Sequence, residues 1–293
     1  MMSCSPVSPI MNDGAIDEYI ERTRGLPPAP VVATQLLSLF GDPDRDIDRI
    51  VELISVDPSL TAEVLKRCNS AYMGLARPVR DMFEAVFQIG FYEVYCIVVA
   101  FFGSRALSMV QNKGDFDVQP LWQHSVVTAV AASILGRRVG ATEAVSFTAG
   151  LLHDIGKLVF ASVEGPEYAE LIRRSAPFGP GLVAAEDESF GFNHADVGAR
   201  LLTRWNLPGN VCVAVRRHPH LSNGEGECDP LPAVAKLANY LAHELQDGAE
   251  QEGRSTADWA ESLEVLRLTA ADVPTILDQM RHQLQQVEAL FSV

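Results

Sequence analysis

The stretch AGLLHDIGKLVF, residues 149–160, sets His153 and Asp154 side by side within an apolar run of helical character. Burying even a neutral polar group without a partner costs roughly 2–7 kcal/mol, and an ionised carboxylate costs more. The pair therefore demands either a metal ion or a salt bridge, and the local sequence leaves both open. The run does decide the fold class. Its periodicity is helical, and the same spacing recurs outward from it in both directions. In VVATQLLSLF (31–40) the residues Val32, Leu36, Leu39 and Phe40 trace one face. In DPSLTAEVLKRCNSAY (57–72) Asp57 is placed to cap and Pro58 suits the first helical position. No convincing β-alternation lies between turn signals, so the expected fold is all-α.

The bulk composition supports a folded chain and narrows its partners. Of 293 residues, 47% are hydrophobic, enough for a real core. The length alone suits one or two domains. A formal net charge of −15 repels phosphate backbones and argues against direct nucleic-acid binding. The basic pairs Arg137-Arg138, Arg173-Arg174 and Arg216-Arg217 are isolated and read as solvated helix faces or helix C-termini. The opening MMSCSPVSPIMNDG has no basic and apolar leader pattern. The longest apolar run, VYCIVVAFF (94–102), falls far short of the ~20 residues a bilayer crossing needs. Cys4, Cys68, Cys96, Cys212 and Cys228 are scattered, which fits neither a disulfide framework nor a zinc knuckle. The expectation is a cytoplasmic protein with no membrane partner.

Punctuation divides the chain. Residues 1–24 form an extension with one helix, IDEYIERTR. GLPPAP (25–30) is a stiff entry into a first helical half, 25–113. The polar QNKGDFDVQP (111–120) leads into a second half, 114–250, and amphipathic helices close the chain over 251–293. Several stretches read as ordinary structure. Trp122, Trp205 and Trp259 are expected as core anchors, AEDESF (185–190) as a solvated turn, and NSAY (69–72) as the polar end of a helix. Phe83, Phe87, Phe91, Tyr92 and Tyr95 are expected mainly in the core.

The second half holds the chemistry. His124 lies in LWQHSVVTAV, His194 in FNHADVGARLL and His218 in AVRRHPH, each on or at the start of a separate helix from the His153-Asp154 pair. Histidines and an aspartate contributed by different helices are the ingredients of a divalent-metal site, although a lone helical His is commonly a satisfied core residue.

This arrangement resembles the HD-domain superfamily of metal-dependent phosphohydrolases, and more closely its HDOD branch, the HD-related output domains of bacterial signalling proteins. LPPAP, ISVDPSLTAEVLKRCNSAY and FEAVFQIGFYEV are similar to the N-terminal half of that branch. LWQHS, AGLLHDIGKL, HADVGARLL and LPGNVCVAV are similar to its second half. The motifs stand in the family's order across roughly residues 25–245. The resemblance implies a multi-helix HD-like bundle packed against an HDOD-specific N-terminal helical half. It also implies ligand roles. His124, His153 and Asp154 match the first-metal residues, and the final ligand, an Asp in active enzymes, falls on Asn239. His194 and His218 match residues that hold a second metal in the cyclic-dinucleotide phosphodiesterases, and Lys157 matches a lysine near the substrate phosphate. Lys157 equally suits a pairing with a nearby carboxylate.

Two departures stand out. Asn239 brings no negative charge, and Pro219 follows His218 where a further His would stand. Hydrolysis at such a site needs metal to acidify a water and neutralise phosphate, so the losses point away from efficient catalysis. The expectation is a regulatory output protein with a degenerate site that holds at most one divalent ion (Fe, Mn, Zn or Mg). Its partners would be signalling proteins: a sensor kinase, a receiver domain or a transcription regulator. The alternative is a metal-dependent phosphohydrolase of nucleotides or cyclic dinucleotides.

Overall fold

A computed structural model of the chain describes residues 13–23, 31–42, 46–70, 73, 75, 77–111, 117–175, 180–221, 229–247 and 257–291. The GLPPAP entry, Ala71, Tyr72, Cys4, Cys228 and most of the 222–230 loop lie outside these residues. Every regular element among the described residues is helical, as the periodicity requires. In chain order they are α1 (Asp13–Glu21), α2 (Val31–Ser38), α3 (Ile47–Ser55), α4 (Pro58–Cys68), α5 (Met82–Ile89), α6 (Phe91–Gln111), α7 (Gln119–Val139) and α8 (Glu143–Leu152). They continue with α9 (Ile155–Glu164), α10 (Pro166–Arg174), α11 (Pro180–Phe190), α12 (His194–Arg204), α13 (Gly209–Arg217), α14 (Leu231–Asp247), α15 (Ala257–Leu266) and α16 (Val273–Phe291).

Local signals explain the boundaries. The Asp57 side chain accepts from the amides of Ser59 and Leu60 at 2.8 and 3.2 Å, and Pro58 opens α4. Asp46 and Asp81 cap α3 and α5 in the same way. Gly140, at φ 76°, closes α7 in the left-handed region that glycine enters freely.

Packing joins these helices through two apolar clusters. The larger runs from Ile16, Leu36, Ile54 and Val64 through Tyr95 and Ile97 to Phe160, Leu202 and Val215. The smaller clamps the other side of α7 against α14, α15 and α16 through Ile134, Leu237, Leu241, Leu263 and Met280. Helix α7 is thus buried between two layers, packing on α8, α14 and α16. Helix α1 is part of this assembly. Its Ile16, Tyr19 and Ile20 are buried, and Arg200 of α12 pairs with Asp13 and Asp17.

The structure corrects three expectations. His153 and Asp154 do not sit inside one helix; they form the junction between α8 and α9. AEDESF is not a solvated turn but the end of α11, with Glu186 fully buried. Phe83 and Phe87 are not core residues: they are 48% and 73% exposed and stack on each other. One described stretch, Glu143–Glu164, is apolar and long enough to span a membrane, and 94% of its most apolar window is buried inside the bundle.

Candidate metal centre

Two glycines in the HD stretch explain why the histidines meet. A Cβ at Gly150 would lie 2.7 Å from the Thr128 carbonyl oxygen and 2.8 Å from the Ala132 Cβ. Only glycine lets α8 lie this close to α7, which carries His124 one turn from Thr128. A Cβ at Gly156 would lie 2.8 Å from the Gly198 amide nitrogen and closer still to the His194 carbonyl. Gly156 therefore brings α9 against the first turns of α12. Asn193 caps that helix by accepting from the Ala195 and Asp196 amides, which fixes His194 as its first residue. His218 follows the last turn of α13, and Asn239 lies on α14.

The result is a buried polar cluster. His153, Asp154, His218, His194 and His124 are 0%, 2%, 2%, 4% and 6% exposed. Ligand atoms of His124, His153 and Asp154 lie within 4.8 Å of one another, as do those of Asp154, His194 and His218. Asp154 belongs to both groups.

Hydrogen bonds fix where the lone pairs point. A carbonyl oxygen only accepts, so His153 and His218 donate from Nδ1 to the Gly150 and Val215 carbonyls, each at 2.7 Å. His194 donates from Nδ1 to the Glu186 carboxylate at 2.6 Å. In the neutral rings this leaves three Nε2 lone pairs directed at Asp154: His153 Nε2 is 3.2 Å from Oδ2, while His194 and His218 Nε2 are 3.3 and 3.7 Å from Oδ1. Acceptors facing acceptors gain nothing unless a cation lies between them, either a metal ion or a proton carried by one of the rings.

The two carboxylate oxygens of Asp154 fare differently. Lys157 donates to Oδ2 at 2.6 Å. Oδ1 is buried without a hydrogen-bond partner, as is Nε2 of His153. The choice posed by the sequence, metal or salt bridge, is thus divided between two atoms of one side chain. The salt bridge takes Oδ2, and Oδ1 together with the imidazole nitrogens fits a metal ion. Burial pushes the Asp154 carboxyl up, but the neighbouring His153 and Lys157 outweigh it and hold the group well below the usual carboxylate range. Burial, reinforced by His153, pulls His124 down to about 4 and His218 well below the ordinary histidine value. Both rings are neutral near pH 7 and able to coordinate.

His124 faces two amide oxygens. Its Nδ1 faces Gln246 at 3.0 Å and its Nε2 faces Asn239 Oδ1 at 2.8 Å. Both partner atoms are amide oxygens, which only accept, so the single N–H of a neutral ring serves one of them; with the proton on Nδ1, the Thr128 hydroxyl, 3.3 Å from Nε2, can donate to that nitrogen.

Sequence reasoning missed three residues here. Glu186 accepts from the His194 main-chain amide, from its ring and from the Tyr168 hydroxyl. Opposing burial, the neighbouring His194 and these bonds pull its carboxyl below its ordinary value. Helical spacing held the clue, since Glu186 falls three and four residues after the buried Val183 and Leu182. Gln246 and His243, which stacks on His124 at 4.0 Å, follow Asn239 at helical spacing along α14 and form a polar stripe on an apolar helix.

The comparisons with known proteins agree with this geometry. The HDOD domain model matches residues 26–221, which takes in His124, His153, Asp154, His194 and His218 but not Asn239. An uncharacterised protein of Treponema pallidum is 30% identical over 259 residues, covering 85% of this chain and 49% of that protein. The chain spans about half the length, or less, of the curated relatives it matches. Among solved structures, an HDOD domain protein of unknown function from Geobacter sulfurreducens aligns with a TM-score of 0.75 at 23% identity, over 96% of this chain and 99% of that one. The MmoQ response regulator of Methylococcus capsulatus is 28% identical, with a TM-score of 0.50, over 87% of this chain and 99% of that one. A family match over most of the sequence, on a helical frame shared end to end with a solved HDOD protein, leads to one assignment: the chain belongs to the HDOD family.

Proposed function

We propose that this chain is a signalling output protein that acts through contacts with other proteins and uses its HD-type site as a buried ion centre rather than for hydrolysis. The observation that carries this reading is the closure of the site. All five His and Asp candidates are nearly fully buried, and Lys157, which would have to reach a substrate phosphate, is bound to Asp154 Oδ2. The amide of Asn239 adds to it, since a hydrolase of this type needs enough negative charge to hold its metal ions against the phosphate. The likeness to MmoQ, a protein named as a response regulator, supports a signalling role. A sensor kinase, a receiver domain or a transcription regulator would be the partner. On α5 the stacked Phe83 and Phe87 leave exposed apolar surface of the kind that protein contacts bury.

The competing reading is a phosphohydrolase, and the unpaired Asp154 Oδ1 is the observation that favours it. A divalent ion held there would acidify a bound water and neutralise phosphate charge. The deciding experiment incubates the purified chain with Mn²⁺ or Fe²⁺ and cyclic dinucleotides or a generic phosphodiester. Turnover at the buffer rate is expected. Turnover that disappears in His153→Ala and Asp154→Ala variants would establish the hydrolase instead.

A further inference from the structure

The sequence sets Arg137 and Arg138 together in the last turn of α7, and the structure places them opposite α16. Between the two helices lies a cleft of about 490 Å³, lined by Ile134, Arg137, Arg138, Gln279, His282 and Gln283. That volume falls within the roughly 300–1,000 Å³ of small-molecule sites. No described carboxylate lines it, in a chain whose formal net charge is −15. Arg137 lies 13 residues after His124 on α7. At 1.5 Å per residue that is about 20 Å along the axis, so the cleft is separate from the His and Asp cluster.

The guanidinium groups are held in place without being fully neutralised. Arg138 Nη2 donates to Gln279 Oε1 at 3.1 Å, and Arg137 Nη2 donates to Gln283 Oε1 at 3.3 Å. Gln279 and Gln283 stand four residues apart, on one face of α16. An amide oxygen orients a guanidinium fork but carries no full charge to cancel it. The carboxylates beside the pair are partly engaged elsewhere. Asp272 Oδ1 stands 4.0 Å from Arg138 Nη1, while its Oδ2 accepts from the amide and hydroxyl of Thr269. Glu143 Oε1 is 3.3 Å from Arg137 Nε, so that arginine is shared. Other arginines are matched more closely: Arg67 Nε lies 2.6 Å from Glu63, and Arg200 pairs with both Asp13 and Asp17. Each glutamine accepts through Oε1 and keeps its Nε2 hydrogens as donors, and His282 adds a ring N–H.

From this cleft we infer that the chain binds a small phosphorylated molecule of nucleotide size between α7 and α16, with Arg138 as the main phosphate contact, Arg137 as a second, and Gln279 and Gln283 donating to the same oxygens. Guanidinium forks match phosphate oxygens in pairs, and donors fixed before the ligand arrives lose little freedom when it binds. A bare phosphate would leave most of the volume to water, whereas Ile134 offers an apolar wall to the body of a larger molecule. An acidic peptide would meet the same charges, but a phosphate, with three terminal oxygens, engages more of these donors than a carboxylate with two. The ligand would tie α16, which lies beyond the matched residues 26–221, to α7 within them. The inference concerns a second site and holds whether or not the HD-type site hydrolyses anything.

The test is calorimetry of the full chain, freed of metal by chelation, with pyrophosphate and with ADP at about 0.15 M ionic strength, and with adenosine as the uncharged control. One ADP per chain is expected, with pyrophosphate weaker and adenosine not bound. Arg138→Gln should lower ADP affinity about ten- to one-hundredfold, as loss of a hydrogen bond between charged groups does. Arg137→Gln should cost less, because Glu143 already shares that arginine. Arg173→Gln, on the exposed side of α10, and His153→Ala, in the HD-type site, should leave ADP binding unchanged. Gln279→Glu, an exposed change that sets a carboxylate against Arg138, should also weaken ADP at least tenfold, and it keeps the test available if Arg138→Gln melts early. Equal losses from Arg138→Gln and Arg173→Gln would reduce the binding to general attraction between charges and overturn the site. Loss of ADP binding in His153→Ala, ADP bound no tighter than adenosine, or no uptake of either phosphate compound would overturn it as well. Uptake of hexaglutamate without uptake of ADP, abolished by Arg138→Gln, would assign the cleft to an acidic partner peptide instead.

Discussion

The change Gly156→Ala adds one methyl group and tests how the site is assembled. The new Cβ would lie 2.8 Å from the Gly198 amide nitrogen and nearer still to the His194 carbonyl, both main-chain atoms of α12. Ordinary carbon contacts lie at about 3.5–4.0 Å, so α9 and α12 must separate by around 1 Å. No side chain can rotate out of the way. A radial gap of that size already forfeits up to about half of each dispersion contact along the interface, and overpacking of rigid cores costs about 1–3 kcal/mol. The rigid neighbours place this site at the upper end, near 3 kcal/mol. At roughly 2–4 °C per kcal/mol for a domain of this size, Tm should drop by about 6–12 °C. The separation also draws His194 away from Asp154, from which it stands 3.3 Å in the native chain, so Zn²⁺ affinity should fall as well. The assay is thermal unfolding of the chelated chain together with a Zn²⁺ titration. The control is Gly14→Ala on α1, where an added Cβ meets nothing within 4 Å and a neutral or slightly positive effect is expected. A Gly156→Ala chain that melts with the Gly14→Ala control would refute the account of how α9 and α12 meet.

Two further changes test other parts of the molecule. Asn239→Asp puts an anionic oxygen beside His124, so added metal should stabilise this variant more than wild type, its own gain reaching about 2.7 kcal/mol when free metal is one hundred times its Kd; melting curves with and without Mn²⁺ or Zn²⁺ check it, and equal gains in both chains would place residue 239 outside the site. Ile16→Ala should cost about 2–5 kcal/mol, because Ile16 is fully buried among helices well beyond α1; a urea midpoint within experimental error of wild type would show that α1 is dispensable to the core.

Much of the fold was legible in the sequence because the signals for it are local. Helical spacing between residues a few positions apart, the Asp57-Pro58 start and the lack of strand alternation all operate within one or two turns, and they determined an all-α chain by themselves. The family motifs likewise identified the histidines worth watching. The junction at His153-Asp154 was less visible, because the break between α8 and α9 is small and both sides are apolar. Phe83 and Phe87 misled for a related reason. Their composition speaks for burial, yet α5 presents them on its outer side, and which face of a short helix is covered depends on distant neighbours.

What only the tertiary structure decided is the division of labour within Asp154. His124, Lys157, Glu186, His194, His218 and Asn239 come from six different helices or helix ends, and no spacing along the chain ranks their distances to one carboxylate. Two glycine-mediated crossings set those distances, with the amide oxygens of Asn239 and Gln246 facing His124 and with Glu186 and Tyr168 holding His194 from behind. Coulomb interaction and hydrogen bonding depend on separation in space, steeply so in a buried site of low dielectric. The sequence by itself singled out the histidines and the aspartate, though not Glu186, Gln246 or His243; the fold decided that Lys157 faces one oxygen of Asp154 and leaves the other buried without a hydrogen bond.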